Sequence, residues 1–292
     1  MWFYLAVLSA FFNALGNVAR RTHGSLAQPA ELSWWTLLFS LPLGVALLLV
    51  SNQPHHTSNA YIAPLITAAL INAVSGVLQF KAYKLSDASV VSPIANLLPI
   101  LLLVTSFVML GIVPNLAGLV GVLFVVAGVY YSSVSGKHDL LHPLQQMFKS
   151  PGSRAMLATI SLWSVSTVLT KIALQSASPA YVLCLMQLIM FAVMSVYLLA
   201  KPQHKRFYRG EKILKRWGWH IAAISVFVTI SVFLAMEAFS MVDPTYVISV
   251  KRLDILFTIL LSGLFLHEKH IMKRFKGSVI ALLGVVVIFF FQ

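Results

Sequence analysis

The chain has 292 residues, 59% hydrophobic and 10% charged, with a mean hydropathy of +0.87. An ordinary soluble domain is about 25% charged, so this composition excludes one and indicates a polytopic membrane protein. The net charge of +13 sits in short connections between apolar runs, where it sets topology and does not indicate nucleic-acid binding. The single cysteine, Cys184, excludes an internal disulfide, a thiolate metal site or a redox pair.

Apolar runs of about 20 residues match a hydrocarbon core roughly 30 Å thick. They predict ten spans, near 2–19, 31–50, 61–80, 88–110, 114–133, 154–172, 180–199, 218–240, 245–266 and 275–291. The first, "MWFYLAVLSAFFNALGNVA", has no basic leader and no small-residue cleavage site, so it reads as a retained helix. Asn13 and Asn17 share one of its faces. The third ends near Gln79, Lys81 and Tyr83, and the fourth carries Asn96 between Pro93 and Pro99, where a proline bends a helix.

The fifth and tenth spans hold Gly121, Gly128, Gly277, Ala281 and Gly284, small residues on which helices approach closely. Between the halves, "SGKHDLLHPLQQMFKSPGSR" sets Leu140, Leu144 and Phe148 on one stripe and predicts an amphipathic surface helix. The expected division is a five-helix unit over 1–135, a linker over 136–153 and a second five-helix unit over 154–292. The sixth span offers Trp163, Ser166 and Thr170, and "KPQHKRFYRGEKILKRWGW" reads as a basic cytoplasmic loop. Asp87 and Asp243 stand before the fourth and ninth spans as helix caps.

Of the 21 Lys and Arg residues, all but Lys171, Lys251 and Arg252 lie in or beside the connections after spans one, three, five, seven and nine. The positive-inside rule makes those connections cytoplasmic and leaves both termini outside. The halves also repeat. A shift of 156 positions pairs Ala82 with Ala238, Asp87 with Asp243, Leu97 with Leu253, Gly121 with Gly277 and Gly128 with Gly284, without a gap. Near the start of each half, a shift of 150 pairs Arg21 with Lys171 and Pro29 with Pro179. An odd number of spans per repeat inserts the two repeats in opposite senses, which suits alternating exposure of one central site.

Two five-span halves, each ending in the pattern Asp-x-x-x-Val…Leu…Leu…Gly-(x6)-Gly, with "LFLHEK" closing the ninth span, resemble the EamA type of the drug/metabolite transporter superfamily. The resemblance is strongest over 237–291. It implies an all-α bundle of ten transmembrane helices, as two inverted five-helix repeats, around a central cavity. It also implies a secondary carrier, often an exporter, whose family name does not give its substrate.

The ninth span, "VISVKRLDILFTILLSGLFL", carries Lys251, Arg252 and Asp254, each costing about 2.5–3.5 kcal/mol at a membrane centre. In a structural reading, Lys251 pairs with Asp254 and Glu237 reaches Arg252. In a functional reading, the two cations face an anionic substrate, Arg as a planar fork and Lys as a point charge. A Lys-Arg dipeptide at this depth also resembles the plastid triose-phosphate/phosphate translocators of the superfamily, in which such a pair binds phosphate. Asn96 is the counterpart of Arg252, and Lys81 that of Glu237, which suggests a latch of opposite charges.

The expected substrate-binding residues are therefore Lys251, Arg252, Tyr246, Asn96, Asn13 and Trp163, with Asp254, Glu237 and Lys81 as coupling or ion-pairing groups. No metal or cofactor is expected. "HEKH" has the wrong histidine spacing for a zinc helix, and no Gly-rich phosphate loop or nucleophile elbow is present. The expected function is a secondary active exporter of a small polar, anionic or zwitterionic metabolite, working as a monomer in the plasma (inner) membrane. Its partners are a small-molecule substrate and the bilayer, without nucleic acid. The alternatives are an amino-acid exporter, a lipid-flipping or scaffold subunit without a soluble ligand, and an enzyme acting on lipid carriers.

Overall fold

The computed structural model describes residues 1–21, 29–51, 56–86, 88–112, 115–133, 148–200, 210–266 and 271–291. Most of the inter-repeat linker, the Asp87 cap, the "HEKH" segment and the start of the basic loop lie outside the described residues. Among the described residues there are twelve α-helices. The first repeat supplies α1 (Trp2–Arg21), α2 (Pro29–Val50), α3 (Ile62–Leu85), α4 (Ala88–Ala95), α5 (Leu98–Leu110) and α6 (Leu116–Ser133). The second supplies α7 (Pro151–Leu174), α8 (Pro179–Leu199), α9 (Gly210–Met241), α10 (Pro244–Lys251), α11 (Asp254–Leu266) and α12 (Ile271–Phe291).

Several boundaries follow from local chemistry. Ser150 caps α7 by accepting from the Ser153 amide at 3.2 Å, and Pro151 behind it gives up an N–H that the first turn does not need. Asp243 caps α10 in the same way, accepting from Thr245 N at 2.8 Å ahead of Pro244. At the end of α5 the chain turns through Gly111 at φ 68°, the left-handed conformation that favours glycine.

Seven segments are long and apolar enough to cross a membrane, and α6 and α12 add shorter apolar runs. With α10 and α11 end to end as the ninth, the ten spans are accounted for, and the protein is an all-α membrane protein. Two spans are broken, the fourth where its prolines predicted a bend and the ninth where no proline stands. The fourth breaks into α4 and α5 at Asn96 and Leu97, and the ninth into α10 and α11 at Arg252 and Leu253. These positions are exact counterparts under the 156-residue shift.

The main packing runs between repeats: α1 on α9, α3 on α7, α2 on α8 and α6 on α12. The first two pairs are equivalent under the inverted repeat, and the other two each join a helix to its own counterpart. In the last pair the glycines decide the distance. A Cβ on Gly121 would stand 2.9 Å from the Gly284 carbonyl oxygen, and one on Gly128 would strike the backbone of Gly277 and Ala281. The two helices therefore meet backbone to backbone along antiparallel faces, the small-residue packing expected in lipid. Each repeat buries its apolar surface largely against the other.

Candidate functional site at the paired helix breaks

The two breaks differ in origin and meet in space. Pro99 has no N–H, so the Ala95 carbonyl four residues earlier loses its helical donor. Leu97 N bonds instead to Ile94 O at 3.0 Å and Asn96 N to Pro93 O at 3.2 Å, which tightens the chain to a single i→i+3 turn. The ninth span makes the same turn with Ile255 in place of proline. Leu253 N bonds to Val250 O at 3.0 Å and Ile255 N to Arg252 O at 3.2 Å.

Arg252 sits in that turn and reaches across to the fourth span. Its Nη2 donates to the Ala95 carbonyl at 3.3 Å, the acceptor that Pro99 leaves without a helical partner. Its Nε is buried without a hydrogen-bond partner. Asp254 opens α11 and is 6% exposed; its Oδ2 accepts from Asn13 Nδ2 at 2.6 Å, and its Oδ1 is buried without a partner. Lys251 closes α10, half-buried, with no hydrogen bond or ion pair among the described residues.

The charges therefore do not form the direct pairs of the structural reading, although Arg252 and Lys251 both act on the Asp254 carboxylate. Asp254 bonds to Asn13 and not to Lys251, and Arg252 bonds to a carbonyl of the other repeat and not to Glu237. The structure brings Asp254 and five of the expected substrate-binding residues to the breaks. Lys251, Arg252 and Asn96 belong to the breaks themselves, with Asn96 only 3% exposed. Asn13 comes from α1. Trp163 comes from its counterpart α7 and packs on the cluster that holds Ile94 and Leu98, against which Leu97 and Ile248 also pack.

Other expected residues lie elsewhere. Tyr246 belongs to the apolar core, with its hydroxyl against Gly118 near the start of α6, one and a half turns from the break. Ser86 at the end of α3 bonds to Ser150 at the start of α7, while Lys171 at the far end of α7 bonds to carbonyls at the end of α9. Lys81 and Glu237 are thus separated by most of the length of α7, about 30 Å at 1.5 Å per residue. They cannot form a latch with each other.

Two features were not anticipated. Lys171, an exception to the charge rule, donates to Phe239 O and, at 3.2 Å, to Val242 O, so it satisfies the carbonyls that α9 leaves open at its end. At the opposite end of α7 from Ser86, Thr57 N bonds to Ser176 O at 2.8 Å, the Tyr61 and Tyr181 hydroxyls meet at 3.1 Å, and His56 stacks beside both rings. That contact ties the two repeats at one mouth of the bundle. A lysine near a helix end was the only sequence signal for the first, and nothing in the sequence signalled the second.

Ten spans in two inverted halves, with paired breaks of which one carries intramembrane charge, define a membrane transporter. The EamA-like transporter family model matches residues 1–134 and again 151–290. The chain belongs to that family, and so to the drug/metabolite transporter superfamily, whose members are transporters rather than enzymes. No curated protein sequence matches it. A crystal structure 16% identical in sequence superposes with a TM-score of 0.74 over 98% of this chain and 95% of that one, which shows a shared fold.

Proposed function

We propose that the protein is a secondary active carrier of a small anionic metabolite, bound where the two helix breaks meet and exposed to either side in turn. The observation that carries this reading is the pair of adjacent cations at the ninth break, Lys251 and Arg252, which outnumber Asp254, the carboxylate beside them. Two positive charges without a matching protein counter-ion favour an anion from outside. Arg252 offers a planar fork and Lys251 a point charge, the donors that a phosphate or carboxylate takes.

Asn96, Asn13 and Trp163 complete the surroundings, with polar and aromatic groups drawn from both repeats. Because one chain supplies both repeats, a monomer suffices. A bundle whose halves pack mainly on each other can rock one against the other while the breaks stay central.

The test is a melting screen of purified protein against phosphate monoesters, amino acids and neutral sugars, with Lys251→Gln and Arg252→Gln alongside. Stabilisation by a phosphate monoester in the wild type, lost in both variants, is the expected result. Stabilisation by amino acids alone would move the reading to a zwitterion carrier. No shift with any soluble compound, in variants that merely melt earlier, would make the charges structural.

A further inference from the structure

Asp254, expected from the sequence to couple or to ion-pair, forms no ion pair among the described residues. A third charge of the wrong sign, beside two cations that bind an anion, weakens the attraction. It is retained at a position that is 94% buried by complement of its 6% exposure, and half of its carboxylate is unused. Asn13 Nδ2 holds Oδ2 at 2.6 Å and the Ile255 N–H at the start of α11 also acts on the carboxylate, while Oδ1 is buried without a hydrogen-bond partner of its own. One turn along α11, the Thr258 hydroxyl is buried and also without a partner. The carboxylate is thus held by one oxygen and open at the other.

We infer that Asp254 is the proton-coupling group of the carrier, taking up one proton on Oδ1 when a phosphate-type dianion binds Lys251 and Arg252 and releasing it when the anion leaves. This rests on the anion reading above. The charge balance supports it. In the empty site Lys251, Arg252 and ionised Asp254 sum to one positive charge. With a dianion bound and Asp254 ionised the sum is one negative charge, and with Asp254 protonated it is zero. A buried site left with the dianion's uncompensated negative charge is costly, so protonation of Asp254 favours the loaded form.

The surroundings fit a proton better than a metal cation. The charged groups acting on the Asp254 carboxylate are Arg252 and Lys251 of its own span. From α1 it receives Asn13, which does not titrate, while Tyr83 of α3 acts on Arg252 and not on Asp254. A metal ion would stand against two fixed positive charges, and among the described residues no cluster of His, Cys, Asp and Glu could hold one. A proton needs only the single free oxygen. Its path is one bond: the carboxylate becomes a carboxylic acid, and the proton returns to water on the side where the anion departs.

The test uses full-length protein in phosphatidylcholine–phosphatidylglycerol vesicles with radiolabelled glycerol 3-phosphate. The range is mildly alkaline, so that the monoester is a dianion on both sides, and the membrane potential is clamped. The wild type is expected to exchange label and to accumulate it against a gradient when the outside is made more acidic, approaching about tenfold for each pH unit, the limit for one proton per substrate. Asp254→Asn is expected to lose the accumulation, and Asp254→Glu, which keeps a titratable carboxyl, to retain it. Exchange by the wild type without accumulation would overturn the proton step while leaving the anion site standing. Accumulation by Asp254→Asn, or equal failure of Asp254→Glu, would also overturn it. If the wild type neither exchanges nor binds glycerol 3-phosphate, the anion reading fails and this inference falls with it.

Discussion

The fourth and ninth spans break at the same place and carry opposite chemistry. In the fourth, the break follows from proline, and the residues around it are Ala95, Asn96 and Leu98, neutral and mostly buried. In the ninth, the same turn forms without proline, and the counterparts are Lys251, Arg252 and Asp254. One repeat therefore provides an open carbonyl and the other the guanidinium that fills it. An inverted repeat keeps the geometry needed for alternating exposure, and divergence at a few positions is enough to make one break the charged partner and the other its receptor.

Removing the charged side of this pair has the largest expected effect. Arg252→Gln gives up a charge-assisted hydrogen bond and half of the positive charge, and glycerol 3-phosphate binding should weaken by roughly 10- to 100-fold, following about 1.5–3 kcal/mol for such a bond; a ligand titration followed by melting reads this. Asn13→Leu should cost about 1–3 kcal/mol of stability, because it removes the side-chain donor of a buried carboxylate, and denaturant unfolding in detergent measures it. Its counterpart in the other repeat, Trp163, packs on an apolar cluster, so no comparable polar loss is expected there. Asn96→Ala, on the neutral side, should cost only about 0.5–1.5 kcal/mol of stability and weaken glycerol 3-phosphate binding by about two- to tenfold in the same titration, as the loss of a neutral hydrogen bond does. Equal losses of affinity at Asn96 and Arg252 would erase the asymmetry.

Much of this was legible in the chain itself. The ten spans follow from apolar length, and the gap-free shift of 156 already aligns Asn96 with Arg252. The prolines at 93 and 99 announced a bend in the fourth span. The ninth has Ser249 and Ile255 in their place, so its break could be inferred only by assuming that symmetry of backbone outlasts symmetry of sequence. The partners of the charges were less accessible. Helical spacing offered Asp254 to Lys251 three residues away, but the carboxylate takes Asn13, 241 positions distant in the chain, and Arg252 takes a backbone oxygen that carries no mark in the sequence. The Lys81–Glu237 pair misled because alignment gives equivalence and not proximity: in an inverted repeat, equivalent positions near span ends fall on opposite sides of the membrane.

The central claim is that the two breaks act as one unit, joined by Arg252 and the carbonyl that Pro99 leaves open. A double-mutant cycle on unfolding stability with Arg252→Met and Pro99→Ala tests it directly. Alanine at 99 restores an N–H to the Ala95 carbonyl, so the substitution should be more favourable by about 1 kcal/mol when Arg252 is absent than when it is present. Additivity within about 0.3–0.5 kcal/mol would mean that the two residues do not share that oxygen, and would contradict the account.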